Sequence, residues 1–511
     1  MLDGAVAAGM LCAAAWRGPE RGEDPLRSQT AMFSRLVSEF MGERPVTVRS
    51  GTSCQEVVSL MTLANASSVI INDAFGRPIG LVTERDVSRR MTFQVSPDTA
   101  VDTVMTRPVM TVPVGEYLYQ AIGRMRQHGL HHLPVVSDGR VVGSLSLDLA
   151  LTAASEQMVQ QVDRITHNDT MEGMNTAREA QWELADELLR DGLPAPDIQG
   201  LLTSINNDIY RRIVGVCVQD LEMEGWGAPP VDFVVIVLGS SGRGENSLFP
   251  DQDNGFILDD YPDEEHNRID GYFRELAERM VTFLAAVGLP LCKGYCMAIN
   301  PTWRKTQSQW RDQVDGWRRR RSLVATQMSD IFFDFQLVWG RKRELAMDVR
   351  SHVTGMAMTN PGYLRSMCEA IADHRTASGM FGRFITERES TDNKGKINLK
   401  HNGLLPLVQS ARILALREGI EETSTLARID ALQAREVLEA SEQERLKEAF
   451  AHIATLLLRQ QIADFKAGLP VGNYLPPQGL SRRERDRLRE SFRAIEDLRR
   501  RMAREFHVTR L

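Results

Sequence analysis

Two aspartates one residue apart, Asp251 and Asp253, lead into the apolar run Phe256, Ile257 and Leu258 within "DQDNGFILDD". In an extended strand, residues i and i+2 point to the same side, so the two carboxylates converge on one point. Like charges held that close raise one another's pKa, and a divalent cation relieves the repulsion. Magnesium suits the task because it takes carboxylate and phosphate oxygens together. With two such ions, a site can activate a nucleophile and neutralise a leaving pyrophosphate. Twelve residues before Asp251 begins the turn Gly239-Ser240-Ser241-Gly242, followed by Arg243. A glycine turn offers backbone N–H groups and close approach to phosphates, and the arginine adds positive charge.

These groups need a scaffold. "VDFVVIVLG", just before the turn, is a nearly continuous run of valine, isoleucine and leucine. Such a run fits a strand covered on both faces. Farther on, "SDIFFDFQLVWG" reads as another strand, with Asp334 among Phe332, Phe333 and Phe335. A lone acid inside an aromatic strand is costly unless it has a partner.

A Gly-Ser turn after a strand, followed by Asp-x-Asp with apolar flanks, resembles the nucleotidyltransferase superfamily. The string "GSSGRGENSLFPDQDNGFIL" is similar to the nucleotidyltransferase domain found beside CBS repeats in bacterial signalling proteins, a relative of the protein-PII uridylyltransferases. The resemblance implies a third carboxylate from a later strand, Asp334, with Asp330 as the alternative. It makes Asp251, Asp253 and Asp334 the metal-binding and catalytic set. Gly239, Ser240, Ser241, Gly242 and Arg243 would hold phosphate. The family also has a Met-Ala-x-Asn-Pro-x-Trp-Arg segment, matched here by Met297, Ala298, Asn300, Pro301, Trp303 and Arg304. Lys293 and Arg304 are its candidate triphosphate contacts, while the run Arg318 to Arg321 reads as a solvated helix face.

Nearer the start, a repeat with a period of about 63 residues begins at Phe40 and again at Val104. Met41 corresponds to Met105, Pro45 to Pro108 and Gly80 to Gly143. Each copy should run strand, helix, then two strands about a turn, with helix positions Val57, Val58 and Met61, and Ala121, Ile122 and Met125, facing inward. "MTRPVMTV", "HHLPVV" and "GLVTERDV" resemble a tandem CBS pair over about residues 35–152. CBS pairs commonly bind adenine nucleotides and dimerise. Thr83 and Asp86 match the family's ribose- and phosphate-binding pattern, and the second copy departs from it at Ser146 and Asp148. A purely dimerising or scaffolding module is the alternative. His128, His131 and His132 fall where a helix gives way to a buried strand, a place for packing or capping.

Residues 153–228 carry helical spacing and read as a connector, which either transmits a signal from the CBS pair or fills space beside the next sheet. From about 345 to 508 the pattern is almost wholly helical and resembles the substrate-binding domain of the same family. Ser481 and Glu484 form a capping box there. Lys396 and Lys400 are candidate phosphate contacts or surface lysines. The fold expected is therefore multidomain: an α+β CBS module at 35–152, a mixed-sheet nucleotidyltransferase domain at 229–342 and a C-terminal helical bundle.

The 511 residues exceed one core. A net charge of −7 argues against a generally nucleic-acid-binding surface. Residues 1–31 read as a disordered or mis-assigned extension, and no run is long enough to span a bilayer. Six scattered cysteines suggest free thiols in a reducing, cytoplasmic setting. The close pair Cys292 and Cys296 lacks a second pair or a histidine cluster, which argues against zinc. The expectation is a magnesium-dependent transferase with an NTP donor and an acceptor implied to be a regulatory protein. Adenine nucleotides would act through a dimerising CBS pair, and a non-catalytic nucleotide sensor is the alternative.

Overall fold

A computed structural model describes residues 35–42, 45–91, 94–151, 170–372, 374–379, 383–388 and 392–508. The expectations for residues 1–31, and for the start of the connector, lie outside them. The chain divides into two compact units, residues 1–118 with 131–159, and residues 119–130 with 160–511.

In the first unit, the first repeat runs β1 (Thr47–Arg49), α1 (Cys54–Ala64), β2 (Ser68–Asn72) and β3 (Pro78–Thr83). The second runs β4 (Val112–Pro113), α2 (Leu118–Gln127), β5 (His132–Ser137) and β6 (Arg140–Ser146), and residues 119–127 of α2 count with the second unit. Each forms a three-stranded sheet with a parallel and an antiparallel pair, β1-β2-β3 and β4-β5-β6. Ser53 caps α1 by accepting from the Glu56 N–H at 3.2 Å, and Asn65 ends it in the left-handed region. The three- and four-residue apolar spacing then buries Val57 and Met61. The repeats lock reciprocally: a β-carbon on Gly80 would lie 2.1 Å from the Met105 sulfur, and one on Gly143 2.5 Å from the Met41 sulfur. Each copy's methionine fills the space that the other's glycine leaves.

The second unit is built on a mixed sheet of β7 (Phe233–Val237), β8 (Asn254–Leu258), β9 (Arg304–Thr306) and β10 (Gln336–Trp339), in the order β10-β7-β8-β9. β7 is antiparallel to both neighbours, and β8 pairs parallel with β9. Every residue of β7 and β8 is buried, as their unbroken apolar runs require. Helices α3 (Met171–Arg190) and α4 (Ala195–Met223), within the expected connector, pack together and against α5 (His266–Ala286). They are part of this unit's core. Beyond the sheet strand β9 come α6 (Gln307–Arg320) and α7 (Leu323–Phe332), where Trp310 stacks on Phe332 with ring centres 4.1 Å apart.

The C-terminal region is helical: α8 (Glu344–Met358), α9 (Pro361–Ala370), α10 (Leu405–Arg417), α11 (Thr425–Ala434), α12 (Ala440–Lys466) and α13 (Arg482–Glu505). α12 packs on α13 and also on α4. The capping box at Ser481 is present, with Glu484 accepting from the Ser481 N–H at 2.8 Å. A two-stranded ladder, Ile397–Asn398 with Tyr474–Leu475, holds the segment that leads to Lys400.

Candidate active site

The site forms where β7 ends and β8 begins. Gly239–Gly242 make one helical turn directly after β7, with Gly239 at φ 55°. A β-carbon on Gly239 would come 3.3 Å from an Asp253 carboxylate oxygen, so the turn and the acid are in contact. The Leu238 N–H donates to the Asp253 carbonyl at 2.9 Å and fixes that apposition. Gly242 is required sterically, since a β-carbon there would lie 1.8 Å from the Asp334 carbonyl oxygen.

Asp251 and Asp253 flank Gln252, whose side chain points the opposite way into the core. Its amide nitrogen donates to the Val281 carbonyl at 3.1 Å and to the Leu289 carbonyl at 2.8 Å. With Gln252 anchored inward, the two carboxylates share the other side. Burial, then the Asp251 charge, holds the Asp253 carboxyl well above its ordinary range, while Lys400 acts against the rise. Burial raises the Tyr210 hydroxyl, and both aspartates add to that rise. Ser240, Arg243, Glu245, Ser247 and Lys400 line one small cavity here. Lys400, a candidate contact in the sequence, is thus brought to the turn from the helical region. Lys396 donates to the Asn393 side chain at 3.4 Å instead.

Other expected residues are placed differently. Asp334 was expected on a strand as the third metal ligand. It lies in the turn between α7 and β10, fully buried, with both oxygens taken by guanidinium groups. Arg243 donates to it at 2.7 Å, the Arg412 Nε at 2.9 Å, and Arg428 approaches to 2.8 Å. Despite burial, these arginines hold its carboxyl far below the usual range. A carboxylate so engaged has no lone pair to spare for a cation, and Asp330, the alternative, is likewise paired with Arg412 and Gln409. Arg304 was expected on triphosphate, but is buried, bonded to Asp270 at 3.0 Å and to the Ala298 carbonyl at 2.7 Å. It anchors the Met297–Asn300 loop. Lys293 is exposed. Arg243 keeps its place at the cavity wall, steadied by Glu245 at 2.6 Å and by Asp334.

Sequence reasoning missed Glu245, Asn246, Arg412 and Arg428. Asn246 accepts from Ser241 at 3.0 Å and Ser240 at 3.3 Å, orienting both hydroxyls. The arginines did leave a signal: Arg412 sits alone in the apolar "LLPLVQSARILAL", so it requires a buried carboxylate. Cys292 and Cys296 also lie at this site. Among the described residues, Asp253, Cys292 and Cys296 are the group whose ligand atoms all lie within 4.8 Å of one another.

In the first unit, Thr83 and Asp86 do meet. The Thr83 hydroxyl donates to the Asp86 carboxylate at 2.8 Å, and the two form a capping box on a short helical turn.

Comparison with known proteins agrees with this layout. Residues 37–92 and 101–156 match the CBS domain family, residues 179–323 the family described as "Putative nucleotidyltransferase DUF294", and residues 361–506 the "Putative nucleotidyltransferase substrate binding domain". The chain therefore carries a CBS pair followed by the two domains of the DUF294 type. The DUF294 match starts at residue 179, so the later part of α3 and all of α4 fall within it. Similar curated proteins include an uncharacterized protein of Methanocaldococcus jannaschii, 31% identical over 121 residues, which are 24% of this chain and 43% of that protein. A homoserine O-acetyltransferase of Methanohalophilus mahii is 32% identical over 130 residues, 25% of this chain and 26% of that one. This DUF294 chain therefore spans less than half of either relative. Solved structures that resemble it include a CBS-domain protein of Agrobacterium tumefaciens at 26% identity and TM-score 0.22, covering 23% of this chain and 92% of that one. Another is a CBS domain protein of Pyrobaculum aerophilum complexed with AMP, at 24% identity and TM-score 0.22, covering 25% and 95%. No helix among the described residues is long and apolar enough to cross a membrane.

Proposed function

We propose that this chain is a magnesium-dependent nucleotidyltransferase that moves an NMP group from an NTP to a hydroxyl acceptor, in the manner of the PII uridylyltransferases. The observation that carries the reading is the contact of the Gly239 turn with Asp253, beside Asp251 and within reach of Arg243 and Lys400. The donor set fits a hard divalent cation, because two carboxylates on one side of an extended segment are mutually repulsive without one. Magnesium held by Asp251 and Asp253 would neutralise triphosphate charge and the leaving pyrophosphate.

The chain's own residues supply the rest. The turn lets the triphosphate approach the backbone, and its first N–H groups have no intrahelical acceptor. Ser240 lines the cavity, and its hydroxyl would turn from Asn246 to donate to phosphate. Arg243 and Lys400 line the same cavity and add two cations. In the reaction the acceptor oxygen forms a bond to the α-phosphorus, the bond from that phosphorus to the β-phosphate oxygen breaks, and pyrophosphate departs. The acceptor proton goes to a base outside the Asp334 cluster, since Asp334 is committed to its arginines.

The CBS pair is read as the regulatory part, with Thr83 and Asp86 contacting an adenine nucleotide and the pair forming a homodimer. The engagement of Asp334 favours a second reading, a nucleotide-binding signalling protein without transfer activity. Equilibrium binding of each NTP with and without magnesium tests the donor site. Magnesium-dependent binding that is lost in Asp251→Ala/Asp253→Ala supports both readings' common ground. Binding that ignores magnesium and both aspartates would contradict it.

A further inference from the structure

The loop that follows α5 brings two sulfurs to a catalytic-site carboxylate. Cys292 and Cys296 are separated by three residues, and the Tyr295 N–H donates to the Cys292 carbonyl at 3.0 Å with Tyr295 at φ 53°. This turn wraps both sulfurs around Gly294. A β-carbon there would lie 3.5 Å from the Cys296 sulfur and 3.6 Å from the Cys292 sulfur, in ordinary contact with each. The loop is also tied to the strand that carries the acid. The Asn254 N–H donates to the Cys296 carbonyl at 2.9 Å, and the Asn254 side chain accepts from the Ala298 N–H at 2.9 Å. Asn254 is the residue after Asp253, so the hydrogen bonds that build the loop also set its sulfurs against that carboxylate. The three ligand atoms lie within 4.8 Å of one another.

We propose that Asp253, Cys292 and Cys296 form a site for a thiolate-seeking divalent metal of the zinc class, distinct from the magnesium position shared by Asp251 and Asp253. Two sulfurs and one carboxylate oxygen select zinc over magnesium, which takes oxygen ligands. Sulfurs bound to tetrahedral zinc at about 2.3 Å stand roughly 3.8 Å apart, so the cluster needs a closure of about an ångström or less. Three protein ligands leave the fourth tetrahedral position open to water or substrate. Binding releases the two thiol protons to solvent. Because Asp253 belongs to both sites, zinc and magnesium compete for one carboxylate. The zinc site itself stands whether or not the chain transfers nucleotides.

The test uses the full chain, metal-free and with its thiols kept reduced, titrated with cobalt(II) as a spectroscopic stand-in for zinc. The expected result is thiolate-to-cobalt charge-transfer absorption that saturates at one equivalent per chain and is bleached by one equivalent of zinc. Cys292→Ser and Cys296→Ser should each weaken zinc binding at least tenfold and remove most of that absorption. Cys54→Ser, in the other unit, should leave it intact. Absence of thiolate–cobalt absorption in the folded wild-type chain overturns the site without reference to any variant. Absorption that survives either cysteine substitution at undiminished affinity overturns it too. Failure of magnesium-dependent NTP binding, by contrast, bears only on the transferase reading.

Discussion

At the scale of single residues, the half-buried Asp253 and the buried Asp334 have opposite electrostatics and therefore opposite pH signatures. Asp253 has its carboxyl raised by burial and by Asp251, so its ionisation costs stability. Its contribution is fully present below the unfolded value of about 4 and is lost as pH rises through the folded value. Asp253→Asn should thus raise the melting temperature of the metal-free chain at neutral pH, with the gain vanishing as pH falls toward 4. Magnesium should raise the wild-type melting temperature by an amount that grows as pH rises from about 4, and do little to the variant. Asp334 is lowered by Arg412, Arg428 and Arg243 despite its burial. Its contribution is present above the unfolded value and declines as pH drops below it. Removing it leaves the buried Arg428 without its carboxylate and takes one of two from Arg243 and Arg412, and denaturant titration of Asp334→Ala should show a loss of about 3–5 kcal/mol. A loss near zero, accompanied by lost magnesium binding, would restore it as a metal ligand.

At the scale of elements, the turn after β7 must be thin because other backbone passes beneath it. The Asp334 carbonyl lies where a Gly242 side chain would go, and backbone yields less readily than a flexible side chain. Gly242→Ala should therefore destabilise the second unit by about 1–3 kcal/mol. Gly239→Ala meets a left-handed φ and the Asp253 carboxylate, and should cost about 1–2 kcal/mol while weakening NTP binding. Calorimetric unfolding with and without NTP separates these effects. The strand β7, the Asp251/Asp253 geometry and the capping box at Ser481 were legible in the sequence, because each depends on neighbours within a few positions. The role of Asp334 was not. Its partners, Arg412 and Arg428, come from helices some eighty residues or more away, and no local pattern says which buried charges will meet. Arg304 was misassigned for the same reason, since Asp270 and the Met297–Asn300 loop reach it only through the fold.

At the scale of the whole molecule, a change of periodicity marks where one kind of element gives way to another, but it does not say which neighbours a helix joins. The CBS repeat was visible as a repeat, and its Met–Gly exchange gives the correspondence a steric basis. The helices at 171–223 read as a connector that either passes a signal or fills space beside the next sheet, and they pack into the core of the second unit, a partner that amphipathic spacing alone does not name. If the CBS pair senses adenine nucleotides through Thr83 and Asp86, isothermal titration of the full chain with AMP and ATP should show binding. It should weaken on the order of tenfold in Thr83→Ala/Asp86→Ala, as expected from losing hydrogen bonds to charged groups. Unchanged affinity would leave the module as a scaffold. The central claim is nucleotidyl transfer, and its most direct measurement uses α-phosphate-labelled NTPs, magnesium and a PII-type signalling protein as acceptor. The account predicts label covalently attached to the acceptor with equimolar pyrophosphate released, and a fall of at least about a hundredfold in Asp251→Ala/Asp253→Ala. Neither label nor pyrophosphate from any NTP, or equal amounts from the double variant, would contradict it.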